Sequence, residues 1–285
     1  MKNHPPATRV RSPQMIRSTS LFLVLLLAAA GAARAEDAKS APFKPAFFAF
    51  QNGVNFGSLE KEAKTLKELG YDGINQVKHG GAKLAARIAA YDKVGLKVLS
   101  IYLNVRDKPI AAAVVKPFEN RGAMIELTVN RMTPTTVEAV RQTAEMAAKM
   151  KIRVALYPHH GNAVATMGQA MELIKKVDHP NLGVMFNLCH FLMGEKAETM
   201  EAVLEKAGDR LFAVSTAGAD LGGRSWRALI QPLHKGTFPQ KRLFAALKKL
   251  NFKGPVGLQC YAVRGDKRTN LKNSMAAWKK TLDEI

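Results

Sequence analysis

Short apolar runs alternate with amphipathic segments from residue 46 almost to the C-terminus. Runs of about four to eight apolar residues predict buried strands, and apolar positions spaced by three and four residues predict helices. The predicted strands are 46–50, 73–77, 97–103, 124–129, 153–157, 182–187, 211–215 and 256–259. Eight strands that each lead into a helix are typical of one closed barrel, so the predicted fold class is α/β, a single (β/α)8 barrel.

The helical segments carry start and stop signals. Ser58 precedes an apolar stripe through Ala63, Leu66 and Leu69, and Gly70 follows its last turn. Further helices are predicted over 83–94, 110–118, 135–150, 164–177, 197–207, 239–250 and 271–283. An open doubly wound sheet is the alternative, but it normally has a glycine-rich phosphate-binding turn that FQNGVNFG, after the first strand, does not match.

The first 35 residues have the pattern of an export signal. A basic start is followed by an apolar core over 21–30 and by the small-x-small sequence ending at Ala35. The core is shorter than the roughly 20 residues of a membrane span, and no later segment is long and apolar enough. We therefore predict a signal peptide at 1–35, a linker at 36–45 and one barrel at 46–285, in a protein that is exported, periplasmic or secreted.

The chain is strongly basic, with a formal net charge of +20. Removal of the five basic residues of the predicted signal peptide leaves +15. Such a charge suits nucleic acid or an anionic envelope, but the lysines are dispersed through segments such as KEAKTLKEL and FAALKKL. Dispersed lysines indicate solvated helix faces, so a nucleic-acid partner is not predicted.

The two cysteines do not form a disulfide framework. Cys189 and Cys260 follow the sixth and eighth predicted strands, with one strand between them. At a strand spacing of roughly 4.8 Å they are nearly 10 Å apart, which is beyond disulfide reach. We predict two free thiols.

Polar residues stand where four of the predicted strands end. Side chains alternate along a strand, so Tyr157, Asn187, Ser215 and Gln259 share the inward phase with the small or apolar residue two positions earlier. The C-terminal ends of barrel strands meet on one rim, so we expect these four side chains to converge there, with His159, His160 and His190 just beyond them.

Four segments carry a family resemblance: GLKVLSIYL at the third strand, PHHG after the fifth, NLGVMFNLCH at the sixth and GPVGLQ at the eighth. Together they resemble the xylose isomerase-like TIM barrel superfamily, which includes sugar phosphate isomerases and epimerases and family 2 apurinic endonucleases. The resemblance covers nearly all of 46–284. It implies a divalent metal held by carboxylates and a histidine at positions 157, 187, 215 and 259, and a substrate contact by His190.

This chain departs from that metal site at every position. Tyr157, Asn187, Ser215 and Gln259 are neutral, whereas a hard divalent cation prefers carboxylates. One interpretation keeps a weaker metal site formed by Asn187, His190 and Gln259. The other, which the loss of charge favours, is a metal-free rim that binds a sugar through hydrogen bonds, because amides offer both donors and acceptors to hydroxyls.

His190 and His159 are the candidate acid and base, since imidazole exchanges protons near neutral pH. A histidine is often structural instead, and both interpretations stay open at this stage. The candidate substrate-binding residues are Tyr157, Asn187, Gln259, Asn104 beyond the third strand and Trp226 on the long loop after the seventh.

The resemblance and the polar rim together predict an exported carbohydrate-active enzyme of the sugar isomerase or epimerase kind, which removes a proton next to a carbonyl of a sugar or keto-sugar. The alternatives are a metal-free keto-sugar lyase and a sugar-binding barrel without catalysis. DNA repair, which the superfamily also includes, is disfavoured by the export signal and by the missing metal-binding carboxylates.

Overall fold

A computed structural model describes residues 43–285. Eight parallel strands close into one barrel in sequence order, which confirms the predicted single (β/α)8 TIM barrel of the α/β class. The strands are Phe47–Phe50 (β1), Gly73–Val77 (β2), Lys97–Val105 (β3), Met124–Val129 (β4), Arg153–Leu156 (β5), Leu182–Asn187 (β6), Leu211–Thr216 (β7) and Val256–Leu258 (β8). The predicted signal peptide and most of the predicted linker lie outside the described residues, so these boundaries stay predictions.

Helices cover the outside of the barrel. They are Leu59–Leu69 (α1), Ala82–Asp92 (α2), Ala112–Val115 (α3), Thr136–Lys149 (α4), Met167–Val177 (α5), Leu188–Gly194 (α6), Met200–Ala207 (α7), Trp226–Leu229 (α8), Gln240–Lys249 (α9) and Lys267–Asp283 (α10). None of these described helices is long and apolar enough to cross a membrane. The start and stop residues predicted for the first helix are confirmed. Ser58 accepts a hydrogen bond from the Lys61 N–H at 3.2 Å, and Gly70 ends α1 at a φ of 86°.

The predicted helices differ from the structure most at α10, α6 and α8, the last of which lies in a segment predicted as a loop. The last helix was expected to start at Leu271, but it starts at Lys267 because Asp266 caps it by accepting from the Thr269 N–H at 2.8 Å. Its polar first turn has no apolar stripe to reveal it. Helix α6 was not predicted at all, since it follows β6 without an intervening loop.

The inside of the barrel has its own small core. Phe48, Phe50, Met124, Ala155, Tyr157, Met185 and Ala213 are buried there together. This cluster confirms that Tyr157 shares the inward phase of Ala155. Strand pairing in register also places Asn187 beside Ser215 and Ser215 beside Gly257. Cys189 and Cys260 are free and buried outside this inner core.

Candidate functional site

Two histidines meet at the C-terminal rim of the barrel. His159 belongs to the loop after β5, and His190 belongs to α6, which continues directly from β6. Their ring centroids are 4.0 Å apart. His190 is buried, with 6% of its surface exposed, and His159 is half-buried. The two histidines that the sequence predicts at the rim, after β5 and after β6, therefore lie side by side.

The backbone of His160 fixes the tautomers of both neutral rings. The His160 N–H donates to Nδ1 of His190 at 3.3 Å, so the ring proton of neutral His190 is on Nε2. Nδ1 of His159 lies 2.9 Å from the His160 carbonyl oxygen, which only accepts, so neutral His159 carries its proton on Nδ1. The pair thus offers one free donor, Nε2–H of His190, and one free acceptor, Nε2 of His159.

Burial keeps both rings neutral. It lowers the pKa of His190 to about 3, with the neighbouring His159 and His160 as smaller causes. Burial also lowers the pKa of His159 below its usual range. At neutral pH His190 is consequently a hydrogen-bond donor rather than a strong base, while the unprotonated Nε2 of His159 remains able to accept a proton.

Aromatic rings and one amide form the floor of the site. The Tyr157 ring lies 5.1 Å from that of Tyr102 and 5.7 Å from that of His190, both edge to face. Nε2 of Gln259 donates to the Tyr157 hydroxyl at 3.3 Å. Because burial raises the pKa of Tyr157 well above its ordinary value, the hydroxyl keeps its proton.

The long loop after β7 places Trp226 against the histidines. Ser225 caps the short helix α8 by accepting from the Ala228 N–H, and Gln231 pairs with Gly218 as an antiparallel bridge. These contacts hold the Trp226 ring 5.0 Å from the His190 ring. The indole forms a side wall of the site, where a sugar face can pack against it.

Comparison with known proteins identifies the family. The model of the xylose isomerase-like TIM barrel family matches residues 128–281, which is more than half of the chain. The chain belongs to this family. The match includes β5 to β8 and therefore both histidines, Trp226 and the amides of the rim.

Individual relatives of this family member are distant. The probable ketose 3-epimerase of Synechocystis is 27% identical over 127 residues, which are 44% of this chain and only 40% of that protein. The solved 3-keto-D-glucoside 4-epimerase from E. coli is 18% identical, with a TM-score of 0.64 over 84% of this chain and 100% of its own. The probable 3-DHS dehydratase of Bacillus anthracis is 13% identical, with a TM-score of 0.66 over 82% of this chain and 98% of its own. At such identities the two structures show the shared fold alone.

The residues at the family's metal positions do not fit a divalent cation in this member. Oδ1 of Asn187 accepts the hydroxyl of Ser215 at 2.5 Å. Oε1 of Gln259 accepts the backbone N–H groups of Cys260 and Tyr261 at 3.0 and 3.1 Å. Both amide oxygens are therefore engaged, and Nδ1 of His190 is engaged as well. Within residues 43–285 no three His, Cys, Asp or Glu side chains are grouped as metal ligands.

Asn104 lies on β3, where its amide group has protein partners. Its Nδ2 lies 3.1 Å from the Thr128 hydroxyl and 2.7 Å from Oδ1 of Asn130. These contacts tie β3 to β4 and to the loop that follows β4. A substrate role for Asn104 stays a prediction.

Sequence reasoning missed an acidic residue inside the barrel. Glu126 on β4 is completely buried and contacts Asn75 at 3.1 Å and Ser100 at 2.5 Å. Burial raises its pKa to about 8, so the carboxyl is protonated at neutral pH. The signal was present in MIELTV, where one acidic residue shares the phase of Met124 in a strand whose only other polar residue is Thr128.

Proposed function

We propose that the protein is an exported enzyme that isomerises or epimerises a sugar or keto-sugar by removing a proton next to its carbonyl group. The observation that carries the proposal is the histidine pair. Two neutral imidazoles 4.0 Å apart present opposite functions, a free acceptor on His159 and a free donor on His190. Removal of a proton next to a carbonyl needs a base to accept that proton and a hydrogen-bond donor to stabilise the oxygen that becomes negative.

The two rings divide the reaction between them. Nε2 of His159 takes the proton from the carbon next to the carbonyl, while Nε2–H of His190 donates to the oxygen on which negative charge develops. His159 then holds the proton until it returns to carbon. Return to the neighbouring carbon, while the enediol hydroxyl proton passes to the oxygen of the first carbon, gives the isomer. The epimer forms when the opposite face of the same carbon takes a proton from water and His159 releases its own proton to solvent.

Neutral hydrogen-bonding groups near the histidine pair suit a sugar better than a ligand without hydroxyl groups. Among the described contacts, the Asn187 amide nitrogen uses one donor on the Met185 carbonyl, and the Gln259 nitrogen uses one on Tyr157. Each has a second N–H for a substrate hydroxyl. The names of the Synechocystis and E. coli relatives, both epimerases of keto compounds, support the same substrate class.

We also propose that the protein is exported. Export is supported by the basic, apolar and small-x-small pattern of residues 1–35. A lyase is the second candidate, because the same enolate can expel a substituent from the next carbon, and one relative of the same fold is named a dehydratase.

Deuterium uptake tests the proposed step. The protein is incubated in D2O with a panel of ketoses and 3-keto-glucosides, and proton NMR follows the hydrogen next to the carbonyl. We expect exchange together with a new isomer or epimer. His159→Asn should slow exchange by about 100-fold or more, the usual contribution of a general base.

The control is His179→Asn, on the opposite face of the barrel. Nδ1 of His179 accepts from the Asn181 N–H at 3.0 Å, and an asparagine oxygen can replace it in that turn. This variant should exchange at the wild-type rate. Deuterium exchange accompanied by loss of a substituent from the sugar would instead identify a lyase. Binding of a substrate in calorimetry, with no deuterium exchange on any of the substrates, would contradict catalysis.

A further inference from the structure

The arginines of this chain fall into two groups according to their partners. Among residues 43–285, Arg87, Arg121, Arg141, Arg242 and Arg268 form ion pairs with Glu or Asp. Arg153 lies over the Phe212 ring at 5.0 Å, and Arg210 donates to backbone carbonyls. The remaining arginines have neither an acidic nor a hydrogen-bonding side-chain partner within the described residues; they are Arg106, Arg131, Arg224, Arg227 and Arg264.

All five unpartnered arginines lie on one face of the barrel. They belong to the segments that follow β3, β4, β7 and β8. In a closed parallel barrel these segments surround one mouth, which here contains the histidine pair. The five side chains are exposed. The partnered arginines belong to other segments: helices α2, α4, α9 and α10, the start of β5, and the connections that lead into β4 and β7.

The segments that carry the five arginines hold three acidic residues, which leave an excess of two positive charges among these eight side chains. Asp220 accepts a hydrogen bond from Gln231 at 2.9 Å, and Asp266 caps α10. Neither forms an ion pair within the described residues, nor does Asp107. Five guanidinium groups therefore face solvent at the mouth with their donors available.

Three of the mouth arginines are neighbours in sequence of residues at the proposed active site. Arg224 and Arg227 flank Trp226, whose ring is 5.0 Å from His190. Arg131 follows Asn130, which accepts from Asn104. A ligand that extends from the histidine pair towards solvent therefore passes between the segments that carry these arginines.

We infer that the mouth binds an acidic saccharide, whose carboxylate or sulfate groups lie on sugar units next to the one that reacts. Guanidinium groups hold such planar or branched anions through paired hydrogen bonds. This inference rests on the proposed function for the position of the reacting sugar. A saccharide is favoured over nucleic acid because the neutral amides of the described rim suit sugar hydroxyls, and the rings of Trp226 and the exposed Tyr261 can pack against sugar faces.

Calorimetry with matched oligosaccharides tests the inference without requiring turnover. The probes are trigalacturonate, its uncharged methyl ester, a sulfated carrageenan tetrasaccharide and single-stranded DNA. We expect one or both acidic saccharides to bind, the ester to bind at least about tenfold more weakly, and the affinity to fall as NaCl screens the charges. The two acidic probes separate carboxylate from sulfate recognition.

Two charge-matched variants locate the binding face. The first changes Arg106, Arg131, Arg224, Arg227 and Arg264 to Gln, and the second changes the exposed helix residues Lys64, Lys149, Lys175, Lys206 and Lys272 to Gln. Only the arginine variant should lose affinity, by at least about tenfold from five exposed charge contacts.

Three results would overturn the inference. They are equal losses in the two variants, equal affinity for trigalacturonate and its ester, and tighter binding of DNA than of either acidic saccharide. Circular dichroism shows whether both variants remain folded. If the variant with five arginine substitutions does not fold, the double variant Arg224→Gln, Arg227→Gln is used in its place. Charge-dependent saccharide binding by a protein that catalyses no deuterium exchange on these saccharides would refute the proposed function and leave acidic-saccharide binding at the mouth standing, without the reacting sugar.

Discussion

At the scale of single residues, two buried ionisable side chains have opposite pH dependences. Glu126 is held protonated in the barrel by burial, and His190 is held neutral at the rim by burial and by neighbouring histidines. Burial opposes the charged form in both cases, which raises the pKa of an acid and lowers that of a base. Each residue consequently links the stability of the fold to pH.

Replacing Glu126 should reduce the decrease in the free energy of unfolding that accompanies rising pH. The folded pKa of about 8 exceeds the ordinary 4.5, so between these values the unfolded chain releases a proton that the folded chain keeps, and the free energy of unfolding falls as pH rises. Glu126→Gln can keep the contacts to Asn75 and Ser100 but cannot ionise. Urea unfolding at pH 5 and pH 8 should show a smaller decrease for this variant than for wild type or for the exposed control Glu145→Gln.

His190 should act in the opposite direction. Its folded pKa of about 3 is below the ordinary 6.5, so stability is complete above pH 6.5 and is lost as pH falls towards 3, because protonation favours the unfolded chain. His190→Gln removes this titration. Comparing unfolding at pH 7 and pH 4.5, we expect a smaller acid-induced loss than in wild type; an unchanged loss would refute the assignment.

At the scale of elements, the direct junction of β6 and α6 builds the site. Asn187 ends the strand and the helix begins with Leu188, so His190 lies within the first turn and is held close to the barrel wall. A flexible loop at this position would leave the ring exposed and its pKa ordinary. The loop after β5 approaches closely enough for the His160 backbone to contact both rings.

Gly257 allows strand β8 to pack closely against the phenylalanine rings of β1. A Cβ added at Gly257 would lie 2.5 Å from the Phe50 ring and 2.7 Å from the Phe48 ring. Gly257→Ala should therefore lower the free energy of unfolding by about 1–3 kcal/mol through overpacking. In Gly168→Ala, the matched control in α5, the nearest atom is 3.8 Å away, so thermal and urea unfolding should show no loss. Equal effects in both variants would contradict this account.

At the scale of the whole molecule, the barrel combines a neutral interior with a cationic mouth. Glu126 is protonated, the amides of the rim are uncharged and the histidines are neutral, whereas the mouth arginines carry charge without partners among the described residues. Five exposed arginines therefore lie in the segments of the mouth, in addition to the lysines that the sequence indicated on solvated helix faces. Electrostatic attraction at a mouth of this kind increases the rate at which anionic ligands arrive.

Export is the prediction that concerns the complete chain. Expressed with its own first 35 residues in a Gram-negative host, the protein should be recovered from the periplasm with Glu36 as its first residue. Intact-mass spectrometry of the fractionated cells measures this. Ala35→Tyr, which removes a small residue at the cleavage site, should retain the segment, while Ala38→Tyr beyond the site should not. Unprocessed wild-type protein in the cytoplasm would contradict the prediction.

The fold and the position of the site could be predicted because they depend on local patterns. Apolar runs and helical stripes identify the eight units, and alternation along β5 and β6 places Tyr157 and Asn187 inside. The parallel barrel then brings the strand ends to one rim. Helices α6 and α8 and the start of α10 were not predicted, because a helix that continues from a strand, spans a single turn or starts with a polar turn has no apolar stripe of its own.

The chemistry of the site depended on contacts between distant segments, which only the tertiary structure provides. The contact of Gln259 with Tyr157 joins residues 102 positions apart, and that of Glu126 with Asn75 joins residues 51 apart. Such contacts decide which amide oxygens are engaged, which tautomer each histidine adopts and whether Glu126 ionises. Sequence alone therefore determined the barrel and the residues at its rim. Tertiary packing decided their protonation, their free donors and acceptors, and which arginines have no partner at the mouth, because each of these properties depends on the neighbours that folding brings together.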